Sequence, residues 1–222
     1  MPSSLFGKAF AAFLLASLPQ TGGDEAMSGS TPTTEAPPAC TLHVWPSSGL
    51  RSSYHGWFHG GLVDGAVDGR KGYRQLPEEP LTAKHQADLL RELPLGDLIA
   101  AEGTPYLVTV HEEALPSRIV RQARTPVQAG AGDCHAELFV DDIFFQEDIV
   151  NGRFIKALFR FRRFDGGAMT RQFGTFTQAR LTAFPASAPG EDDAARRDLD
   201  ATYAATVREF AAALNAPAPK RR

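Results

Sequence analysis

Three groups of side chains in this sequence have the composition of chemical sites. The first is Cys134–His135, which opens the stretch CHAELFVDDIFFQEDIVNGRFIKALFRFRRF. A cysteine beside a histidine is the raw material of a thiolate nucleophile and its base. The second is YHGWFHGG, where His55 and His59 stand at i, i+4, a spacing that lets two imidazoles share a metal on a helix. The third is Asp141, Asp142, Glu147 and Asp148, residue types suited to a carboxylate pair or a hard-cation site.

The elements that must carry these groups weaken each chemical reading. CHAELFV has the composition of a strand, and neighbours on a strand project from opposite faces, so Cys134 and His135 cannot form a dyad together. Gly56, Gly60 and Gly61 oppose a helix through His55 and His59, and no glutamate follows the first histidine as in the zinc-protease pattern. The expectation is therefore no metal site. Tyr54, His55, Trp57, Phe58 and His59 read better as a contact loop, because aromatics on a glycine-rich loop often anchor partners, or as a lid folded back over the core. Strand alternation splits the four acids between two faces. His43, His85, His111 and His135 read as isolated, structural or solvated residues. No P-loop, dinucleotide glycine pattern, nucleophile elbow or zinc ribbon is present, so the expectation includes no catalytic residue and no cofactor.

Asn151-Gly152 lies between two β-rich runs, the strongest short-range hairpin signal, because a type I′ turn needs positive φ at both positions. A loop of those two residues alone predicts a pairing in which Asp141 faces Arg162, Glu147 faces Lys156, Ile143 faces Arg160 and Phe144 faces Phe159. Opposite charges then share one face and rings the other, which makes the charged cluster an ordinary solvated sheet face. Asp142 falls on the wrong side, which predicts a bulge or a strand end near Asp141–Asp142.

Elsewhere TLHVW and YLVTVH read as strands, and TRQFGTFTQARLTAF as a third long strand with a possible bulge at Gly174. TAKHQADLLREL reads as a helix capped by Thr82, LGDLIAAEG as a second, short one, and Asp192–Leu214 as a third with Leu199, Tyr203, Val207, Phe210 and Leu214 on one face. Residues 47–80 and 115–132 read as long connections without regular structure.

The chain has 222 residues, 43% of them hydrophobic and 22% charged, which is a globular composition. A net charge of -3 gives no electrostatic reason to expect nucleic acid as a partner. Residues 1–23 carry a short apolar run, AAFLLASL, of signal-peptide length, with cleavage expected between Ala16 and Ala26; the alternative is a cytoplasmic chain starting at Met27. Residues 24–39 read as a disordered linker, 40–214 as a single domain and 215–222 as a frayed basic tail. No stretch of the mature chain is long and apolar enough for a membrane span. Cys40 and Cys134 each open a strand-like segment. If those strands run parallel side by side, a disulfide joins them, as in exported chains.

The order of strand, long loop, helices, strand, three long antiparallel strands and carboxyl-terminal helix, behind an export leader, resembles compact domains of bacterial envelope proteins. Examples are the amino-terminal domain of the Tol-Pal propeller protein and lipoproteins assisting ABC transporters or curli secretion. The resemblance covers residues 40 to 214 as topology, and it transfers no functional residue. The expected fold is α+β, an antiparallel sheet of about four to five strands with helices on one face. The expected function is that of an exported, non-catalytic accessory or binding protein of the bacterial cell envelope, periplasmic, with an envelope protein as partner. The alternative is a small hydrolase or metal-dependent enzyme using His55 and His59.

Overall fold

The computed structural model describes residues 40–55, 76, 80–100, 105–130, 132–148 and 151–217. The expected leader and linker lie outside the described residues, as do Trp57, Phe58 and His59. Among the described residues the order is β1 (Thr41–Trp45), β2 (Leu50–His55), α1 (Ala83–Glu92), α2 (Leu95–Ile99), β3 (Leu107–Val110), α3 (Ser117–Gln122), β4 (Cys134–Asp148), β5 (Gly152–Asp165), β6 (Ala168–Leu181) and α4 (Asp192–Asn215).

These strands form one six-stranded sheet in the order β3-β1-β4-β5-β6, with β2 also paired to β4. The sheet is mixed, not antiparallel as expected: β1, β2 and β3 all enter in parallel pairings, while β4, β5 and β6 form an antiparallel meander. The reason is connectivity. Parallel neighbours need a crossover, and the helical segments between β2 and β4 supply it.

At fifteen residues β4 is long enough to hold two partners in series along one edge. β1 pairs with His135–Phe139 and β2 with Ile143–Asp148. Between β1 and β2 the chain breaks at Pro46, which has no N–H to contribute. The buried Gln86 amide of α1 fills the break. Its Oε1 accepts from the Ser47 N–H at 2.9 Å, and its Nε2 donates to the carbonyls of Ser47 and Leu81 at 3.2 and 3.0 Å. β2 falls inside the segment expected to be irregular, because LRSSYH lacks the alternation that marks a half-buried strand. α3 was likewise unexpected; it has a single buried residue, Val120, and no periodic face to read.

The hairpin corrects the predicted register. Asp148 pairs with Gly152, so three residues rather than two connect the strands, and Gly152 itself takes the positive φ of 90°. Between the bulge and the turn the predicted pairs move by three positions, so Glu147 meets Arg153, Phe144 meets Lys156, and Ile143 meets Ala157, while Asp141 is left unpaired. Because three is odd, the faces exchange over that stretch, whereas before the bulge the offset is four and they do not. The bulge expected near Asp141–Asp142 is present, with Asp141 the extra residue between the paired Val140 and Asp142. It explains the adjacent aspartates. The phase change lets Ala136, Leu138 and Val140 before it, and Ile143 and Phe145 after it, all reach the same core. In β6 the register shift falls at Thr170 rather than Gly174, which pairs regularly with Arg160.

That core lies between one sheet face and α1, α2 and α4. α4 contributes Leu199, Tyr203, Val207, Phe210 and Leu214, all at most 2% exposed, and the Phe210 ring sits 5.0 Å from that of Phe159. Full burial of each such side chain stabilises by roughly 1.5–3 kcal/mol. Helices do not cover one face alone. α3 packs Val120 against Trp45 and Phe139 on the opposite face, forming a second, smaller apolar cluster.

Candidate functional site

Beneath α3 and the chain that follows it, the second face of the sheet holds a group of ionisable residues where a solvated face was expected. Alternation places His135, Glu137 and Phe139 of β4 there, together with His43 and Trp45 of β1 and Arg162 of β5. His135 and Glu137 are fully buried and Arg162 is 2% exposed.

Three of the four histidines expected to be isolated come together, while His85 pairs with Asp200 at 2.7 Å. His43 Nδ1 and His111 Nε2 are 3.0 Å apart, and the ring centroids are 5.2 Å apart with planes 25° from parallel. That separation is a hydrogen-bond distance, with one ring donating its N–H and the other accepting through its lone pair. His111 lies flat on Trp45 at 4.3 Å, and Trp45 stacks on Phe139 at 4.9 Å. His135 is 5.1 Å from His43. Its Nδ1 accepts from Thr41 Oγ1 at 3.3 Å while its Nε2 donates to Glu137 Oε1 at 3.3 Å, so the tautomer protonated at Nε2 satisfies both. Burial, then the charges of His135 and His111, push His43 down to about 4 from the ordinary 6.5, and burial alone lowers His111. Among the described residues, no group of three or more His, Cys, Asp or Glu side chains is placed to hold a metal ion.

Glu137 also accepts from the N–H groups of Val127 at 2.6 Å and Gln128 at 3.2 Å, which pins the chain after α3 to the sheet. Arg162 stands directly opposite it on β5, donates to the Val120 carbonyl, and lies 5.3 Å from the Phe139 ring centroid. Glu137 Oε2 and Arg162 Nε and Nη1 have no hydrogen-bond partner in the structure. Burial lowers the Arg162 guanidinium, while the Glu137 charge acts in the opposite direction.

The bulge residue Asp141 is the other buried carboxylate. It accepts from Ser117 Oγ at 2.6 Å and Arg160 Nε at 2.8 Å, with Arg121 at 3.5 Å. Burial opposes its ionisation, but those hydrogen bonds and the two arginine charges prevail and hold it below the usual carboxylate range. Arg160 therefore takes the partner that the predicted register assigned to Arg162. Glu147 pairs with Arg153 at 3.1 Å rather than with Lys156.

Cys40 and Cys134 are joined by a disulfide with a Cα–Cα distance of 4.8 Å, where β1 and β4 begin side by side in parallel. The same pairing could have revealed the histidine group. With Thr41 opposite His135, residues 43 and 135 must share a face two positions apart. Of the expected contact residues, Tyr54 and His55 end β2, opposite Glu147 and Asp148, which removes the helical i, i+4 premise for His55 and His59. β3 closes one end of the sheet order with Leu107 62% and Val108 39% exposed.

Among the described residues no helix is long and apolar enough to cross a membrane. No family model and no curated protein matches the chain. Among solved structures, a hypothetical protein from Chlamydia trachomatis aligns with 79% of this chain and 98% of its own at 13% identity and a TM-score of 0.35. A lipoprotein from Neisseria meningitidis aligns with 78% of this chain and 99% of its own at 14% identity and a TM-score of 0.31.

Proposed function

We propose that this chain is an exported, non-catalytic binding protein of the bacterial cell envelope that meets a protein partner at the β3 edge and the 54–62 loop. The observation that carries the reading is the edge itself. β3 has the sequence LVTV, with no charge, proline or bulge, and both Leu107 and Val108 face solvent. Edge strands are normally blunted by such devices, and one left plain is a template for an added strand. The Cys40–Cys134 bridge fits an oxidising compartment. The buried His135–Glu137–Arg162 group is walled off by α3 and reads as structural.

Intact-mass and metal analysis of the chain purified from its own host, joined to photo-crosslinking from position 108, tests the reading. The expected result is a mature chain cut between Ala16 and Ala26, no free thiol, and a discrete adduct abolished by Val110→Pro, which removes an N–H facing away from β1. A chain starting at Met27 with two free thiols would overturn export. Stoichiometric zinc lost on His55→Ala would make the protein a metal-dependent enzyme instead. Diffuse labelling unaffected by Val110→Pro would remove the β3 edge as the contact surface.

A further inference from the structure

β3 is held unequally at its two ends. Exposure of Leu107 and Val108 leaves little apolar burial at its start, where the Leu107 N–H donates to the Cys40 carbonyl at 2.9 Å. At its end the His111 N–H donates to the Val44 carbonyl at 2.9 Å, the His111 ring lies on Trp45, and its Nε2 meets His43 Nδ1. Two neutral imidazoles share one bridging proton, one ring donating and the other accepting. The first added proton sits on the free nitrogen of the donating ring and leaves the bridge intact; once both rings are protonated, both bridging nitrogens donate and nothing accepts.

We propose that the His43–His111 pair is a proton-operated latch: acidification breaks the imidazole bridge, His111 leaves Trp45, and β3 separates from β1. Release withdraws the β3 edge at which the partner strand adds. This rests on the sheet edge being the contact surface and adds its regulation.

The surroundings make the second proton costly while the latch is closed. From β4, His135 faces His43 and adds a third imidazole. Glu137, the nearest buried acid, already accepts from His135 and two backbone N–H groups, and Arg162 of β5 stands opposite it. On the β3 side the exposed Glu112 is paired with Arg91, and the exposed Glu113 follows. The Cys40–Cys134 bridge at the head of both strands carries no charge. Both rings of the pair favour the neutral form when closed, His43 down to about 4, and regain the ordinary 6.5 when released. Falling pH therefore favours opening progressively between those values.

Opposing contacts keep the strand near the domain after release: Arg91 Nη2 donates to the Val110 carbonyl at 3.3 Å, and the Tyr106 N–H to the Gly96 carbonyl at 3.4 Å. The opening is thus a local one.

Amide hydrogen exchange of the full chain, without any partner, reads the latch directly. After correction for intrinsic rates, protection of the Leu107 and His111 amides should fall on the order of tenfold or more between about pH 7 and about pH 4.5, while Ile155 and Phe159 stay protected. The double variant His43→Asn, His111→Gln keeps polar atoms near Nδ1 and Nε2 without a titrating ring, and it should lose the pH dependence. Unchanged β3 protection in the natural chain, an equal fall in the double variant, or simultaneous loss at Ile155 and Phe159 would each overturn the latch. None of these results bears on the crosslink from position 108, so the latch and the contact surface fail separately.

Discussion

Glu137 and Arg162 stand directly across from each other on β4 and β5, and neither reaches water. Glu137 spends its hydrogen bonds on two backbone N–H groups and His135, and Arg162 spends its one on the Val120 carbonyl. The pair therefore works mainly as a clamp that holds α3 and the following chain against the sheet. Removing one member strands the other in a low-dielectric site. Glu137→Ala should cost about 3–5 kcal/mol, whereas Glu137→Leu with Arg162→Met should cost much less, because both desolvation penalties disappear together. Urea denaturation of the two variants measures the difference. Equal losses would show that the clamp acts through shape rather than charge.

Asp141 draws Arg160, not Arg162, because the bulge turns it out of the regular pairing. A double-mutant cycle of Asp141→Asn with Arg160→Gln should return a coupling of about 1–2 kcal/mol, since a hydrogen bond between charged groups is among the stronger ones. The same cycle with Arg162 should return far less.

The pH sign for Asp141 follows from its lowered value in the fold. Its contribution is complete above the unfolded carboxylate range and is lost as pH falls through the folded value. Asp141→Asn should therefore flatten the acid limb of a stability–pH curve while leaving its slope near neutrality unchanged.

His43 titrates in the opposite chemical sense but gives the same slope. The unfolded imidazole takes its proton near 6.5 and the folded one only near 4, so the unfolded chain binds more protons between those values. Stability is highest above 6.5 and declines as pH falls toward 4, below which this group contributes no further change. His43→Asn should remove that part of the decline, read as a smaller drop in urea midpoint between the two ends of the window. An unaltered drop would assign the dependence to other groups.

Local chemistry is what the sequence alone determined. Thr82 caps α1 by accepting from the His85 N–H at 3.1 Å, and the Leu199-to-Leu214 stripe of α4 is buried. The three long strands and the bulge at Asp141 were also legible. Each depends on neighbours within a few positions, where periodicity and capping act. The tertiary structure decided everything that depends on register. A turn that is one residue longer than Asn-Gly alone and begins earlier moved the hairpin pairs after the bulge by three positions, which exchanged their faces, and those before it by four. β2 and α3, with almost no apolar period, exist because β4 offers a free edge and Trp45 and Phe139 a free surface. His43, His111 and His135 stand far apart along the chain, and only the parallel pairing of β3, β1 and β4 aligns them on one face. Side-chain type is local, but which ionisable groups share a dry space is set by strand partners, and those are chosen by burial across the whole sheet.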